Sequence, residues 1–375
     1  MALPLRPVGF YVHYHGRGHR NRTLAILNQM LAASPQQPRP VAILASRMDG
    51  LDWPANVKQV LELACDIDGV PAAGLARAED VPSLHFAPLH TPTIRRRVHQ
   101  LAEWFDRSNP AAVVIDVSAE VTQLARLASV PTIVMRQHGD RRDAAHEAAY
   151  HAADRLLAPF PESLEDDITP GWVREKTTYA AGFCRYTEPA PSREQAREQL
   201  EWATPHVVVM SGRGGDGSNL DHIADAAAAM PDVTWVVIGM TSQRAAALPS
   251  NVNVPGWIDN PLTYLAAADV VVSAGGHNSV MELAHARART VIIPEPRPFE
   301  EQVRKAAVLK RQRLSLVRDR WPDAADWPAL VHEASDLDGS RWAAITDGNG
   351  AATLAAAIET VAQSSERVAR TDASK

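Results

Sequence analysis

DVVVSAGGHNSVMELAHARARTVIIPEPRPFEEQ, residues 269–302, decides how the rest of the chain reads. Asp269-Val270-Val271-Val272-Ser273 is a short apolar run of the kind that forms a strand buried on both faces. Gly275-Gly276 interrupt it and, lacking a Cβ, let backbone come close to a bound group. Asn278 and Ser279 are good N-cap types, so a helix is predicted to start there, with its unpaired N–H groups and the neighbouring His277 at the loop. Such a helix end is a ready site for a phosphate. Glu282 lies four residues after Asn278, on the same face and one turn in. A carboxylate there would repel a phosphate, yet it suits a neutral vicinal diol, whose hydroxyl protons it can accept. Diphosphate at the helix end with ribose beside it is how this unit would hold a nucleoside diphosphate.

With Glu301-Gln302 closing the stretch, it resembles the C-terminal donor-binding half of a GT-B glycosyltransferase. The resemblance is to the family of the peptidoglycan N-acetylglucosaminyltransferase (the family 28 C-terminal domain), and also to UDP-glucuronosyl and plant UDP-glycosyl transferases. In those families a G-x-N-S-x-x-E-like segment holds diphosphate and ribose, and a later acidic-or-Gln/Gln pair holds sugar hydroxyls. Gly276, Asn278, Ser279, Glu282, Glu301 and Gln302 match in order and spacing. The chain departs at two places. Ala274 stands where plant-type enzymes put a phosphate-binding His, and Lys305 where an Asn usually follows the Glu-Gln pair. The nucleotide class survives both departures; the sugar does not.

Outside this stretch, length and composition set the bounds. The 375 residues are too many for one core, so two domains are expected. A formal net charge of −6 argues against general nucleic-acid binding, which would leave a basic excess. The two cysteines, Cys65 and Cys184, offer neither a disulfide framework nor metal-ligand spacing, which fits a reducing cytoplasm. The N-terminus carries no signal-peptide pattern, and no apolar run approaches the ~18 residues that span a bilayer. Any membrane contact is expected to be peripheral.

From the N-terminus, Val8–Tyr14 reads as a strand, followed by His15-Gly16-Arg17-Gly18-His19-Arg20-Asn21-Arg22 and a helix from about Thr23 to Ala33. The glycine spacing is not G-x-G-x-x-G and no acidic residue stands where a dinucleotide ribose would need one, so NAD is not expected. In the resembled transferases this loop carries a Gly-His facing the acceptor; Gly18-His19 match it, and Gly16 and Arg17 fall on the acceptor side. The resemblance makes His19 the general base, the alternative being that it packs or caps its loop. His13, His15 and His19 invite a metal reading too, but no series of further His and Asp ligands follows at later strand ends. No metal and no obligatory cofactor is expected.

Val41–Ala45 reads as a second strand, and the next ~50 residues, punctuated by Pro71, Pro82, Pro88 and Pro92, as loop-rich acceptor-facing chain ending in the triplet Arg95-Arg96-Arg97. That triplet could meet an anionic acceptor or lipid headgroup, or form a solvated face. Ala111–Asp116 is a buried strand ending on an acid. By the resemblance Asp116 orients the base, as a carboxylate fixing an imidazole tautomer, the alternative being a helix cap or strand-end acid.

Glu188–Ser192 reads as the domain junction. Val207–Met210 then leads into the glycine-rich Ser211–Gly217, whose Gly212, Gly214 and Gly215 suggest a phosphate cradle. Asn253–Asp259 resembles the family's base-pairing loop, which would make Trp257 and Ile258 base readers and favour uracil. Ala351–Gln363 reads as a helix and the last residues as a disordered tail.

The expected architecture is therefore α/β: two Rossmann-like domains, 1–187 for acceptor and 188–365 for nucleotide-sugar donor, facing across a cleft, with a tail at 366–375. The resemblance implies inverting transfer of a sugar from a UDP-sugar to a small-molecule or lipid-linked acceptor. Two other readings stay open. Gly18-His19-Arg20-Asn21-Arg22 also resembles the G-H-x-x-R of pseudaminic-acid pathway hydrolases, which use water as acceptor; a non-catalytic sugar-nucleotide binding protein is the other.

Overall fold

A computed structural model describes residues 4–14, 18–47, 52–186, 188–211, 220–240, 248–346 and 348–373. Gly16, Arg17, Gly212, Gly214 and Gly215 lie outside the described residues. The valine- and isoleucine-rich runs form two parallel sheets whose central strands are buried on both faces, since most of their crossovers return through a helix.

The first sheet contains β1 (Val8–Val12), β2 (Val41–Ala45), β3 (Val57–Glu62), β4 (Ala112–Asp116), β5 (Thr132–Met135), β6 (Arg155–Ala158) and β7 (Thr177–Tyr179), in spatial order 3-2-1-4-5-6-7. The second contains β8 (His206–Met210), β9 (Thr234–Ile238), β10 (Val252–Gly256), β11 (Val270–Ser273), β12 (Thr290–Ile292) and β13 (Leu316–Val317), in order 10-9-8-11-12-13. In both, the order reverses beside the first strand of the domain, and ligands of such sheets bind at the carboxyl ends next to that reversal.

Helix α1 (Gly18–Ala33) buries Thr23, Ile26, Leu27 and Met30, the 3–4 spacing of a core-facing stripe. It starts at Gly18, five residues before the predicted Thr23, so His19 stands on the first turn of a helix and not in a loop. The opposite face of the sheet is covered by α2 (Pro92–Ser108) through Leu101, Trp104 and Phe105. Of the basic triplet, Arg95 and Arg96 are exposed and Arg97 is buried. Arg97 donates to Ser46 Oγ and to the carbonyl of Ala64, each at 2.8 Å, and to the Tyr11 hydroxyl, so it is an internal strut and not part of an acceptor-facing patch. The loop-rich reading of residues 46–91 also missed β3, a half-exposed edge strand whose Val-Lys-Gln-Val-Leu-Glu pattern is too polar to stand out.

Helices α3 (Ala119–Leu127) and α4 (Ala144–Ala152) follow β4 and β5. The junction is closed by α5 (Arg193–Leu200), where Ser192 and Gln195 cap each other's backbone in a capping box. In the second domain, α6 (His277–His285) follows β11 and α7 (Glu301–Arg311) follows β12.

The chain end departs furthest from expectation. Residues 366–375 were expected as a tail and the second domain as running to 365. Instead α8 (Gly350–Ala373) is one helix that crosses back and packs Leu354, Ala355, Ile358 and Ala362 against Val8, Phe10 and Ile26 of the first domain. Arg39, with a side chain 2% exposed, holds it by bonds to Glu359 (2.7 Å) and Glu366 (2.8 Å), and Glu366 also accepts from the backbone N–H of Arg6 at 2.8 Å. A polar sequence with one buried anchoring carboxylate reads as disordered until its partner is known.

Candidate active site between the two sheets

The carboxyl ends of β1 and β4 place His19 and Asp116 together. His19 Nδ1 lies 3.1 Å from Asp116 Oδ2. Arg22, one turn along α1, grips the same carboxylate from Nη2 at 2.6 Å and from Nε at 3.2 Å, and its Nη2 is also 3.0 Å from His19 Nδ1. Burial would raise the Asp116 pKa, but the Arg22 guanidinium and His19 more than reverse that and hold the carboxyl well below the usual carboxylate range. Asp116 is thus a fixed anion. The alternative role as a cap falls to Ser118, whose Oγ accepts from Val121 N–H at 3.2 Å. In the sequence Arg22 stood out only as the last residue of the G-H-x-x-R resemblance; its grip on Asp116, 94 residues away, was not legible there.

Across the cleft stands the amino end of α6. Its N-cap is Gly276, so His277, Asn278 and Ser279 form the first turn instead of capping it. The two helix ends approach so closely that a Cβ on Gly18 would sit 3.0 Å from Asn278 Nδ2. Gly139 makes a second close approach: at φ +110° its missing Cβ would fall 2.5 Å from the carbonyl oxygen of Phe299, which also accepts from Asp140 N–H at 2.7 Å. His277 Nε2 is buried and has no hydrogen-bond partner among the described residues. Burial and then the charge of Lys305 push the His277 pKa well down, so the imidazole is neutral.

Glu282 is 5% exposed and accepts from Arg185 Nε at 2.9 Å. Burial raises its pKa against the pull of that arginine. Arg185 belongs to the segment joining the two domains, a position with no signal in the sequence. Gln302 is buried and its Oε1 accepts from Glu295 N–H at 2.8 Å. Glu301 faces Lys305 Nζ at 3.4 Å and Arg141 Nη2 at 4.0 Å. Lys305, fully buried, also donates to the carbonyl of Gly275 at 3.3 Å. Trp257 and Ile258 directly follow β10; the Trp257 indole N–H donates to Asp259 Oδ1 at 2.8 Å, and Ile258 packs partly buried on the core of the second domain.

His19 and Glu301 share one cavity of about 470 Å³, which also takes in Tyr14, His85, Arg141 and Phe299. Behind its wall Asp143 caps α4, accepts from the backbone N–H of Ala145 and His146, and pairs with His146 Nδ1 at 2.5 Å and His85 Nε2 at 2.8 Å. One atom from each of His85, Asp143 and His146 would suffice to hold a metal ion. The Arg141 guanidinium, 3.2 Å from His146 Nε2, opposes a cation there.

Residues 239–319 match the glycosyltransferase family 28 C-terminal domain, the half that carries β10 to β13 and α6. Over nearly its whole length the chain superposes on solved glycosyltransferases. It matches the glycosyltransferase of kitacinnamycin with a TM-score of 0.68, covering 96% of this chain and 100% of that one at 17% identity. It matches MurG of Acinetobacter baumannii with a TM-score of 0.65, covering 95% and 100% at 16% identity. This is the GT-B fold.

Curated relatives cover less. A UDP-N-acetylglucosamine–N-acetylmuramyl-(pentapeptide) pyrophosphoryl-undecaprenol N-acetylglucosamine transferase of Cupriavidus pinatubonensis is 26% identical over 231 residues, 57% of this chain and 61% of the relative. An uncharacterized glycosyltransferase of Methanosarcina acetivorans is 30% identical over 124 residues, 32% of each chain. The alignments thus span about a third to three-fifths of these relatives. The chain resembles GT-B glycosyltransferases of the MurG and UDP-glycosyltransferase kind. No helix among the described residues is long and apolar enough to cross a membrane.

Proposed function

We propose that the protein is an inverting glycosyltransferase that moves a sugar from a nucleoside diphosphate sugar, with UDP the favoured nucleotide, to an acceptor hydroxyl. The observation that carries this reading is the His19–Asp116 pair at 3.1 Å, lining the cleft opposite the amino end of α6. If His19 Nδ1–H donates to Asp116, the lone pair on Nε2 is left to take the acceptor proton. The acceptor oxygen then bonds to the anomeric carbon, the bond from that carbon to the diphosphate breaks, and the nucleoside diphosphate leaves with the electron pair. The α6 N–H groups and neutral His277 would meet its charge.

Glu282 would take the ribose hydroxyls in exchange for Arg185, Glu301 and Gln302 the sugar, and Trp257 and Ile258 the base. Gly212, Gly214 and Gly215 keep their proposed part in the phosphate cradle on sequence grounds. The cavity of about 470 Å³ beside His19 favours an acceptor larger than water, and so transfer over hydrolysis. The test is release of UDP and of dTDP from their sugar conjugates, with and without added acceptor alcohols. Free sugar released at about 1 s⁻¹ or faster without acceptor, an ordinary rate for a committed enzyme, would overturn transfer; slow release that acceptors outcompete supports it.

A further inference from the structure

Three buried guanidinium groups in this fold are matched by close carboxylates. Arg22 holds Asp116 at 2.6 Å, Arg136 holds Glu165 at 2.7 Å, and Arg39 holds Glu359 and Glu366 at 2.7 and 2.8 Å. Arg97 bonds neutral acceptors and has Asp66 no closer than 3.8 Å; Arg141 also lacks a close carboxylate but, unlike Arg97, it lines the cavity. Its side chain is 9% exposed and lies over the Phe299 ring, 4.3 Å from the centroid. Its hydrogen bonds go to neutral acceptors: the His138 carbonyl at 3.1 Å, and His146 Nε2 and Gln137 Oε1 at 3.2 Å each. Among the described residues the one carboxylate within 4.0 Å is Glu301, and Lys305 shares it.

The other acids of the cavity are engaged elsewhere. Glu120 accepts from the backbone N–H of His85 (2.6 Å) and Phe86 (3.0 Å) and from the Ser118 hydroxyl (2.9 Å). Asp66 faces Arg97 at 3.8 Å, and Asp143, behind the cavity wall, serves His85 and His146. Two buried cations therefore meet over a single carboxylate at the point where the cavity adjoins the proposed sugar position. Burial drives the pKa of both Arg141 and Lys305 down, and their nearby acids do not restore it. A buried charge without a full partner is costly, and a ligand anion would relieve it.

We infer that Arg141 reads a carboxylate on the substrate, borne either by the transferred sugar or by the acceptor. The inference rests on the transferase reading above. A carboxylate approaching from the cavity can accept from the Nη1 and Nη2 N–H groups left over after the three neutral contacts, a planar donor pair that a lysine cannot offer. Phe299, stacked beneath, keeps the guanidinium plane facing the ligand.

The test uses the full chain and two matched pairs of probes. UDP-glucuronate is compared with UDP-glucose for the donor arm. The acceptor arm compares 4-hydroxybenzoate with 4-hydroxybenzamide in the presence of saturating UDP. Binding of UDP alone is measured first; its failure, with dTDP failing too, would count against the transferase reading and with it this inference. With nucleotide bound, one acid is expected to bind about tenfold more tightly than its neutral partner, the scale of one charge-assisted hydrogen bond. Preference in the donor arm places the carboxylate on the sugar; preference in the acceptor arm places it on the acceptor. Arg141→Gln should reduce that preference to about twofold or less while leaving UDP affinity unchanged. Arg141→Lys, which keeps the charge in the fold, should retain part of it. The inference is overturned if neither acid is preferred while UDP binds normally, or if the preference survives Arg141→Gln.

Discussion

Arg185 Nε donates to Glu282 Oε1 at 2.9 Å, so the carboxylate proposed for the ribose is held by the segment that joins the two domains. Donor binding and the domain junction therefore compete for, or share, one side chain. Glu282→Ala is expected to weaken UDP binding by about 2–3 kcal/mol, the scale of lost hydrogen bonds to a charged group. The fold should stay intact, because Arg185 remains partly exposed to water. Calorimetry finding unchanged UDP affinity in the folded variant would remove Glu282 from the site.

The His19–Asp116–Arg22 cluster separates catalysis from stability. His19→Ala should cut turnover on the order of 10²–10⁴-fold with UDP binding retained, the range for a positioned base. Asp116→Asn should also lose turnover, and in addition lose about 3–5 kcal/mol of stability, because it leaves the buried Arg22 guanidinium without its anion. Kinetics paired with denaturant unfolding distinguish the two. A His19→Ala enzyme of near-normal rate would sink the base assignment.

Acid should destabilise the protein through its buried histidines. Burial, then Lys305, holds His138 and His277 well below the usual imidazole value; burial, then Arg141, brings His146 down to about 4. Folded pKa values below the unfolded one mean that the unfolded chain binds more protons, so stability rises with pH across that interval. It is complete above the unfolded value of about 6.5 and is lost as pH falls below it, down toward about 4 for His146. Thermal midpoints measured from pH 8 to 5 should fall, and His138→Gln should flatten the slope if it folds. A midpoint independent of pH over that range contradicts the burial argument.

Gly139 sits where the first domain meets Phe299 of the second. Gly139→Val forces a Cβ into a carbonyl 2.5 Å away at φ +110°, so the cleft should be wedged open. Turnover is expected to fall at least tenfold, equivalent to about 1.4 kcal/mol of barrier, while UDP affinity changes little if the proposed donor contacts within the second domain are the ones that hold it. Equal loss of both would mean that Gly139 supports the nucleotide site itself.

The chain end should matter to folding. Removing residues 366–375 takes away the Glu366 carboxylate that Arg39 and the Arg6 N–H share, at an expected cost of about 1–3 kcal/mol. Leu354→Ala, on the same helix, should cost about 2–5 kcal/mol as a buried leucine. Urea titrations that show no change for the truncation would restore the reading of this segment as a tail.

The sequence by itself determined the alternation of buried strands and helices, because Val270–Ser273 or Ala112–Asp116 must be covered on both faces wherever they lie. It also marked the Gly276–Glu282 unit, since helix-end geometry and one-turn spacing are local properties. Trp257, Ile258, Glu301 and Gln302 were singled out by resemblance to short family motifs, and their contacts with a ligand stand as proposals. Tertiary structure decided which charge meets which. Arg22 and Asp116 are 94 residues apart, Arg185 and Glu282 are 97, and Arg39 and Glu366 are 327. No periodicity carries such pairings; they exist only once the chain crossings bring the side chains into a dry interior where an unpaired charge is costly. Arg141 belongs to this second group: an ordinary arginine after β5 in the sequence, it becomes a buried guanidinium lacking a close carboxylate only when Phe299 folds over it from the other domain.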